Sequence, residues 1–293
     1  MTSNMSEDYL SMRIHVDQAA KIANKLYQLS GEVISLPGEI DFNFRIKSDS
    51  GSYILKISRQ DVDIEFIEFQ QELLDHVAKS STRLDSSVAF PDQDGNFISE
   101  IMDESGNARK VRLLSWIEGR IWSSVNPITN KLLNSLGEQA GRLTKALHGF
   151  DHSMVNQKFE WDVAQAGWTC DYSHLFTGKH QEIVQYFQQQ YKAIQNEYQH
   201  FRKGVVHNDA NDNNIIVTND LREPEVKSII DFGDSVYTQI INDLAIAIAY
   251  AVMGKPDPLS AAIPVVKGYH NSFPLHEKEL EFLYTLVAVR LVI

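Results

Sequence analysis

The stretch VVHNDANDNNIIVTNDLREPEVKSIIDFGDS, residues 205–235, constrains the fold more than any other part of this chain. Between positions 207 and 214 it holds one His, two Asp and four Asn, and the β-branched pairs Val205-Val206 and Ile215-Ile216 flank it. Short β-branched runs bounded by turn residues read as buried strands. The polar loop is therefore expected to join two strands. A second such run, 226–230, can pair back on 215–218, and that pairing returns Asp231 of Asp231-Phe232-Gly233 to the neighbourhood of Asn214.

His207 to Asn214 reads as H-x-D-x-x-x-x-N, a pattern that suits phosphoryl transfer. That chemistry needs one carboxylate to orient and deprotonate an attacking hydroxyl, and separate oxygen ligands for Mg²⁺ on the nucleotide phosphates. Asp209 fits the first role, and Asn214 and Asp231 fit the second. Two plainer readings compete. Asn and Asp also build Asx-turns and caps, which accounts for Asn211, Asp212 and Asn213 but not for Asp231-Phe232-Gly233 after the paired strand. His207 and Asp209 as transition-metal ligands would need further His or Cys close by in sequence, and none stands there.

Composition narrows the classes further. At 293 residues, 43% hydrophobic and 23% charged, the chain has room for one large domain or two lobes. A formal net charge of -12 argues against a nucleic-acid partner, which needs a basic surface. Cys170 is the only cysteine, so an internal disulfide is impossible and a reducing compartment is expected. The N-terminus has no apolar core of signal-peptide length. The longest apolar run, 244–253, falls short of the roughly 20 residues of a membrane span. A cytoplasmic protein with no membrane partner is the expectation.

Along the chain, the spacing of apolar residues predicts helices over 16–29 and 64–78. Strand patterns predict hairpins from 42–46 with 52–57 and from 96–102 with 108–116. Together these predict a five-stranded antiparallel sheet with one helix packed on it. After Glu118-Gly119 the pattern becomes helical, over 129–147, 181–201, 239–253, 259–269 and 276–291. The last helix runs to Ile293 without a capping residue, so a continuation into an appended C-terminal domain is expected.

With these motifs in place, the sequence resembles the aminoglycoside phosphotransferase and choline kinase family of small-molecule kinases, over nearly its whole length. Asp231-Phe-Gly-Asp-Ser235, Asn242-Asp-Leu-Ala-Ile-Ala247 and His207 to Asn214 look most like the hydroxylysine kinase branch, which includes kinase domains fused ahead of class III aminotransferases. The resemblance implies an α+β, protein-kinase-like fold of two lobes: residues 1–114 around the sheet, a hinge over 115–119, and a larger, mainly helical lobe over 120–293. It implies that Lys56 binds the nucleotide phosphates and pairs with a carboxylate or amide at Glu68, Gln70 or Glu72. It also implies that Gly38 and Asn43 cover the phosphates in place of a glycine-rich loop, and that the backbones of Ser115 and Ile117 hold adenine. Asp243 resembles the helix-start Asp that braces the catalytic loop.

Two departures separate the chain from protein kinases: Asn208 stands where they carry Arg, and no Ala-Pro-Glu signature follows Gly233. Little chain is left for a peptide platform, so the acceptor should be small. ATP or GTP would be the donor and Mg²⁺ the cofactor, with a small hydroxylated amine or amino acid, 5-hydroxy-L-lysine first, as acceptor. Aminoglycosides, homoserine and choline are the alternatives. Asp212, Asp234, Trp168 and Asp171 are candidates for contact with an ammonium-bearing acceptor. A catalytically silent nucleotide-binding module is the second alternative. Such modules usually lack one of Lys56, Asp209, Asn214 or Asp231, and here all four are present.

Overall fold

The computed structural model of the chain describes residues 14–38, 41–82 and 84–293. Its backbone divides into two compact units, Met1–Leu74 with Ser87–Trp116, and Asp75–Ser86 with Ile117–Ile293.

The first unit is built on an antiparallel sheet. Its strands are β1 (Glu32–Leu36), β2 (Phe42–Ser48), β3 (Gly51–Ile57), β4 (Ala89–Phe90), β5 (Ser99–Met102) and β6 (Ala108–Ser115). The order is β1-β2-β3-β6-β4, and β5 also pairs with β6. Because side chains alternate along a strand, Phe44, Ile46, Leu55, Ile57, Val111 and Leu113 share one face and are buried there. Helix α1 (Val16–Tyr27) covers that face with Ala19 and Ala23. Each large apolar side chain so buried contributes about 1.5–3 kcal/mol. The intervening residues Asn43, Lys56 and Arg112 are cross-strand partners on the other face.

The sheet thus differs in detail from the sequence reading. It has six strands among the described residues, because β4 is only two residues long and carries no readable alternation. The 16–29 segment packs on the sheet as well. Helix α2 (Ile64–Lys79) buries Ile67, Phe69, Leu73, Leu74 and Val77, while Phe66 is only half-buried.

The second unit is mainly helical. Helix α3 (Asn130–Leu147) is capped by the Thr129 side chain, which accepts from the Leu132 N–H. It is followed by α4 (Gly178–Tyr198), α5 (Ile241–Val252), α6 (Pro258–Ser272) and α7 (Glu277–Val292). Helix α5 is buried along almost its whole length, which its Ala/Ile-rich sequence allows without bulky spacing. Helices α3 and α6 touch backbone to backbone: a Cβ on Gly137 would stand 1.9 Å from the Val265 carbonyl oxygen, and one on Gly268 2.1 Å from that of Asn134.

Between the helices run five short strands, β7 (Arg120–Ile121), β8 (Lys203–Val206), β9 (Ile215–Val217), β10 (Val226–Ile229) and β11 (Val236–Gln239). They pair antiparallel as β10-β9-β7 and β11-β8. The 239–253 helix expected from periodicity begins at Ile241 because β11 claims the preceding residues. No helix of the described residues is long and apolar enough to cross a membrane.

Candidate active site

The 207–214 loop leaves β8, whose Val206 pairs with Val236 of β11, and enters β9. Its first two residues turn sharply, with Asn208 at φ 65°. The turn is held from below by Asp243, at the start of α5: its Oδ2 accepts from the His207 N–H at 2.9 Å and its Oδ1 from the Asn208 N–H at 2.8 Å. One carboxylate thus satisfies two buried amides that no strand reaches. Burial, with repulsion from Asp162 as a smaller contribution, pushes the Asp243 carboxyl up to about 6 despite those two bonds.

His207 is fully buried. Its Nε2 bonds the Ile230 carbonyl at 3.0 Å and its Nδ1 accepts from the Asp209 N–H at 3.2 Å. That pattern requires a neutral ring with the proton on Nε2. Burial pushes the imidazole down to about 4, in keeping with it. Both ring nitrogens are engaged within the protein, so His207 ties the loop to β10 and has no lone pair to offer a metal.

Asp209 is held by two amides. Its Oδ2 accepts from Asn211 Nδ2 at 2.8 Å and from Asn214 Nδ2 at 2.7 Å. Asn214 Nδ2 also donates to the Asp209 carbonyl at 3.0 Å. With its –NH₂ directed at Asp209, the Asn214 side chain has its Oδ1 left to meet a cation. The Ile230 N–H donates to the Asn214 carbonyl at 2.8 Å, continuing the β9–β10 ladder, and Asp231 follows directly. Asp231 is exposed and left-handed at φ 67°. The local hairpin therefore brings together the segments carrying Asp209, Asn214 and Asp231.

No group of three or more His, Cys, Asp or Glu side chains suited to a metal occurs among the described residues. An amide oxygen and one carboxylate are hard donors, and two protein ligands with phosphates and waters completing the shell is how Mg²⁺ is usually held. The donor set fits that ion and does not fit a transition-metal site.

The first unit carries the other candidates. Lys56 Nζ lies 3.9 Å from Asp41 Oδ2, and Arg112 Nη2 stands at the same distance from that oxygen. Arg112 is buried and donates to Gln70 Oε1 at 2.8 Å. Of the three residues considered as partners for Lys56, Gln70 is thus buried and bonded to Arg112, whereas Glu68 and Glu72 are exposed. Asn43 donates to the Pro37 carbonyl at 3.4 Å, and a Cβ on Gly38 would stand 2.4 Å from the Asp41 carbonyl oxygen and 2.6 Å from Asn43 Nδ2, which accounts for glycine in this turn. Glu39 and Ile40 of the same loop lie outside the described residues.

Ser115 lies at the end of β6, next to the 87–90 segment. Its backbone N–H donates to the Val88 carbonyl at 2.8 Å and its hydroxyl accepts from the Val88 N–H at 2.9 Å. That N–H is taken by Val88, just ahead of β4, so the expectation for adenine rests on the Ser115 carbonyl. Ile117, half-buried, opens the second stretch of the other unit.

The acceptor candidates are dispersed. Asp212 is half-buried and its carbonyl accepts from the Ser123 N–H at 3.0 Å. Asp234, also half-buried, closes the turn after Asp231. Trp168 donates to the Glu160 carbonyl at 2.7 Å, and Asp171 is exposed. No hydrogen bond or ion pair among the described residues ties Trp168 or Asp171 to the 207–214 loop.

Three residues escaped the sequence reading. Arg112 sits in β6, just ahead of the expected hinge. Asp162 is buried, and its Oδ1 accepts from the Ala164 N–H, Thr238 and Asn242; burial pushes its carboxyl up. Arg290, on α7, brings Nη2 to 3.8 Å from Asp209 Oδ1. A charged residue at a core-facing helical position is the only signal that pointed to Arg290.

A sheet-based unit bearing Lys56, and a helical unit whose strand-flanked loop presents Asp209, Asn214 and Asp231, define a protein-kinase-like phosphotransferase. Residues 32–282 match the family model of the Phosphotransferase enzyme family (APH), and the chain belongs to that family. It is 28% identical over 287 residues to the hydroxylysine kinase of Danio rerio, covering 93% of this chain and 80% of that one. It is 27% identical over 268 residues to the homoserine kinase of Zymomonas mobilis, covering 87% and 77%. Among solved structures, amicoumacin kinase hAmiN in complex with AMP-PNP and Ca²⁺ superposes with a TM-score of 0.72 at 18% identity, covering 98% and 86%. The chain is a small-molecule kinase, an enzyme that phosphorylates a hydroxyl group.

Proposed function

We propose that this enzyme transfers the γ-phosphate of ATP or GTP, with Mg²⁺, to the hydroxyl of a small hydroxylated amine or amino acid, 5-hydroxy-L-lysine first. The observation that carries the reading is the fixed Asp209 carboxylate. One of its oxygens is pinned by two asparagine amides on a loop that Asp243 clamps, so it is preorganised rather than free to rotate. The likeness to hydroxylysine kinases at 28% identity supports the choice of acceptor.

In this reading Asp209 orients the acceptor hydroxyl and takes its proton. The acceptor oxygen bonds to the γ-phosphorus as the bond from that phosphorus to the bridging oxygen breaks, and the nucleoside diphosphate leaves with the electron pair. Lys56 offsets phosphate charge. Asn214 and Asp231 would hold Mg²⁺, which supplies neutralisation of the phosphate oxygens.

The test is nucleotide consumption and product mass with hydroxylysine, homoserine, choline and an aminoglycoside, each with ATP and with GTP. The proposal expects the highest kcat/KM for hydroxylysine. A higher value for choline or the aminoglycoside would remove the amino-acid acceptor, and no phosphorylated product from any of them would remove the acceptor class.

A further inference from the structure

Arg290 is nine-tenths buried, yet its charge has no carboxylate at hydrogen-bonding distance among the described residues. Nη1 donates to the Trp161 carbonyl at 2.5 Å, and Nη2 makes a long bond of 3.5 Å to the Tyr250 hydroxyl. Asp209 Oδ1, at 3.8 Å, is beyond bonding range. A guanidinium carries five N–H donors in a planar fork that matches a carboxylate edge to edge. Two bonds to neutral oxygens leave most of that capacity unused. The indole N–H of Trp161, whose carbonyl holds Arg290 in place, is itself buried with no partner among the described residues.

The position matters as much as the capacity. Asp209 Oδ2 is engaged by Asn211 and Asn214, and Oδ1 is the oxygen that faces Arg290. An acceptor whose hydroxyl bonds Asp209 therefore lies within a few bond lengths of the guanidinium. Resting on the acceptor class proposed above, we infer that Arg290 binds the carboxylate of the acceptor and makes the enzyme select hydroxy amino acids over the corresponding hydroxy amines. The plainer reading, in which Arg290 only ties α7 to Trp161 and steadies Asp209, predicts no discrimination between the two kinds of acceptor.

The experiment compares two matched pairs, hydroxylysine against its decarboxylated diamine alcohol and homoserine against 3-aminopropanol, in the wild type, Arg290→Lys and Arg290→Gln. The wild type should favour the carboxylate-bearing member by on the order of 10²-fold in kcat/KM, since the other leaves the buried guanidinium with only its two neutral partners and the long contact to Asp209. Arg290→Gln should erase most of that ratio, chiefly through KM, and Arg290→Lys should keep part of it. A wild type that turns over both members of a pair equally overturns the inference without needing any variant to fold, and leaves the kinase reading intact. Equal losses on both members in Arg290→Gln overturn it too, in favour of the steadying role. Failure to phosphorylate all four acceptors removes the proposed acceptor class, and this inference with it.

Discussion

Asp209 sits where two amides fix one of its oxygens, so replacing the carboxylate changes chemistry more than structure. Asp209→Asn should bind nucleotide normally while kcat falls by about 10²–10⁴-fold, the usual worth of a positioned base; normal turnover would remove Asp209 from the reaction. His207 and Asp243 support a prediction about pH. For His207 the unfolded value is about 6.5 and the folded one about 4. The unfolded chain binds the extra proton between them, so this contribution is complete above about 6.5 and lost as pH falls to about 4. Asp243 has the opposite sign. Its folded value, about 6, lies above the ordinary 3.8, so its contribution is present below 3.8 and lost as pH rises through 6. From about pH 4 to 6 the two slopes oppose each other. Asp243→Asn should therefore unmask a loss of about 3 kcal/mol on acidification from 6.5 to 4, whereas His207→Gln should lose stability as pH rises over 4 to 6. Urea unfolding of the metal-free protein across that range measures both slopes, and two variants with the wild-type slope would contradict the argument.

Among the elements, α3 and α6 show how a helix's surroundings can reverse a propensity. Alanine in place of glycine normally strengthens a helix interior by about 1 kcal/mol. At Gly137 the added methyl would lie 1.9 Å from a main-chain oxygen of α6, which cannot swing aside as a side chain would. Gly137→Ala should instead destabilise by about 1–3 kcal/mol or more, the cost of overpacking. Gly167, where a Cβ would meet nothing within 4 Å, is the control, and its alanine variant should stay within about 0.5 kcal/mol of wild type. Chemical denaturation of both variants decides the point, and a stabilised Gly137→Ala would show that the helices separate freely.

For the whole molecule, ligand binding and stability are linked by mass action. A nucleotide held at about 100 times its Kd raises unfolding free energy by roughly 2.7 kcal/mol, so the thermal midpoint reports the complete site. Adding Mg²⁺ with nucleotide should raise the midpoint of the wild type well above nucleotide alone. Asp231→Ala removes the one carboxylate of the proposed ion site, so its Mg²⁺-dependent increment should vanish while the metal-free shift from nucleotide persists. An unchanged increment would move the ligand role to Asp234, the other carboxylate of that turn.

What the sequence settles by itself is local. Alternation of apolar residues along 42–57 is enough to predict a hairpin, because a strand's two faces differ at every second residue. The β-branched runs around 207–214 and 226–230 predict the pairing that sets Asp231 close after the Asn214 backbone, since only a short connection separates them. Two-residue β4 and the 236–239 strand escape, being too short for a period to register. The links that span the chain escape for a different reason. Asp243 reaches the amides of His207 and Asn208, Arg112 meets Gln70, and Arg290 approaches Asp209, each across tens of residues. Periodicity reports which side of an element is buried and carries no information about which distant element covers it. Ser115 shows the same limit: nothing in the sequence pairs its N–H with the Val88 carbonyl, 27 residues earlier in the chain. Which backbone donors stay open, and which buried charges face Asp209 Oδ1, were decided only when the elements packed, because hydrogen bonds and desolvation act between neighbours in space rather than along the chain.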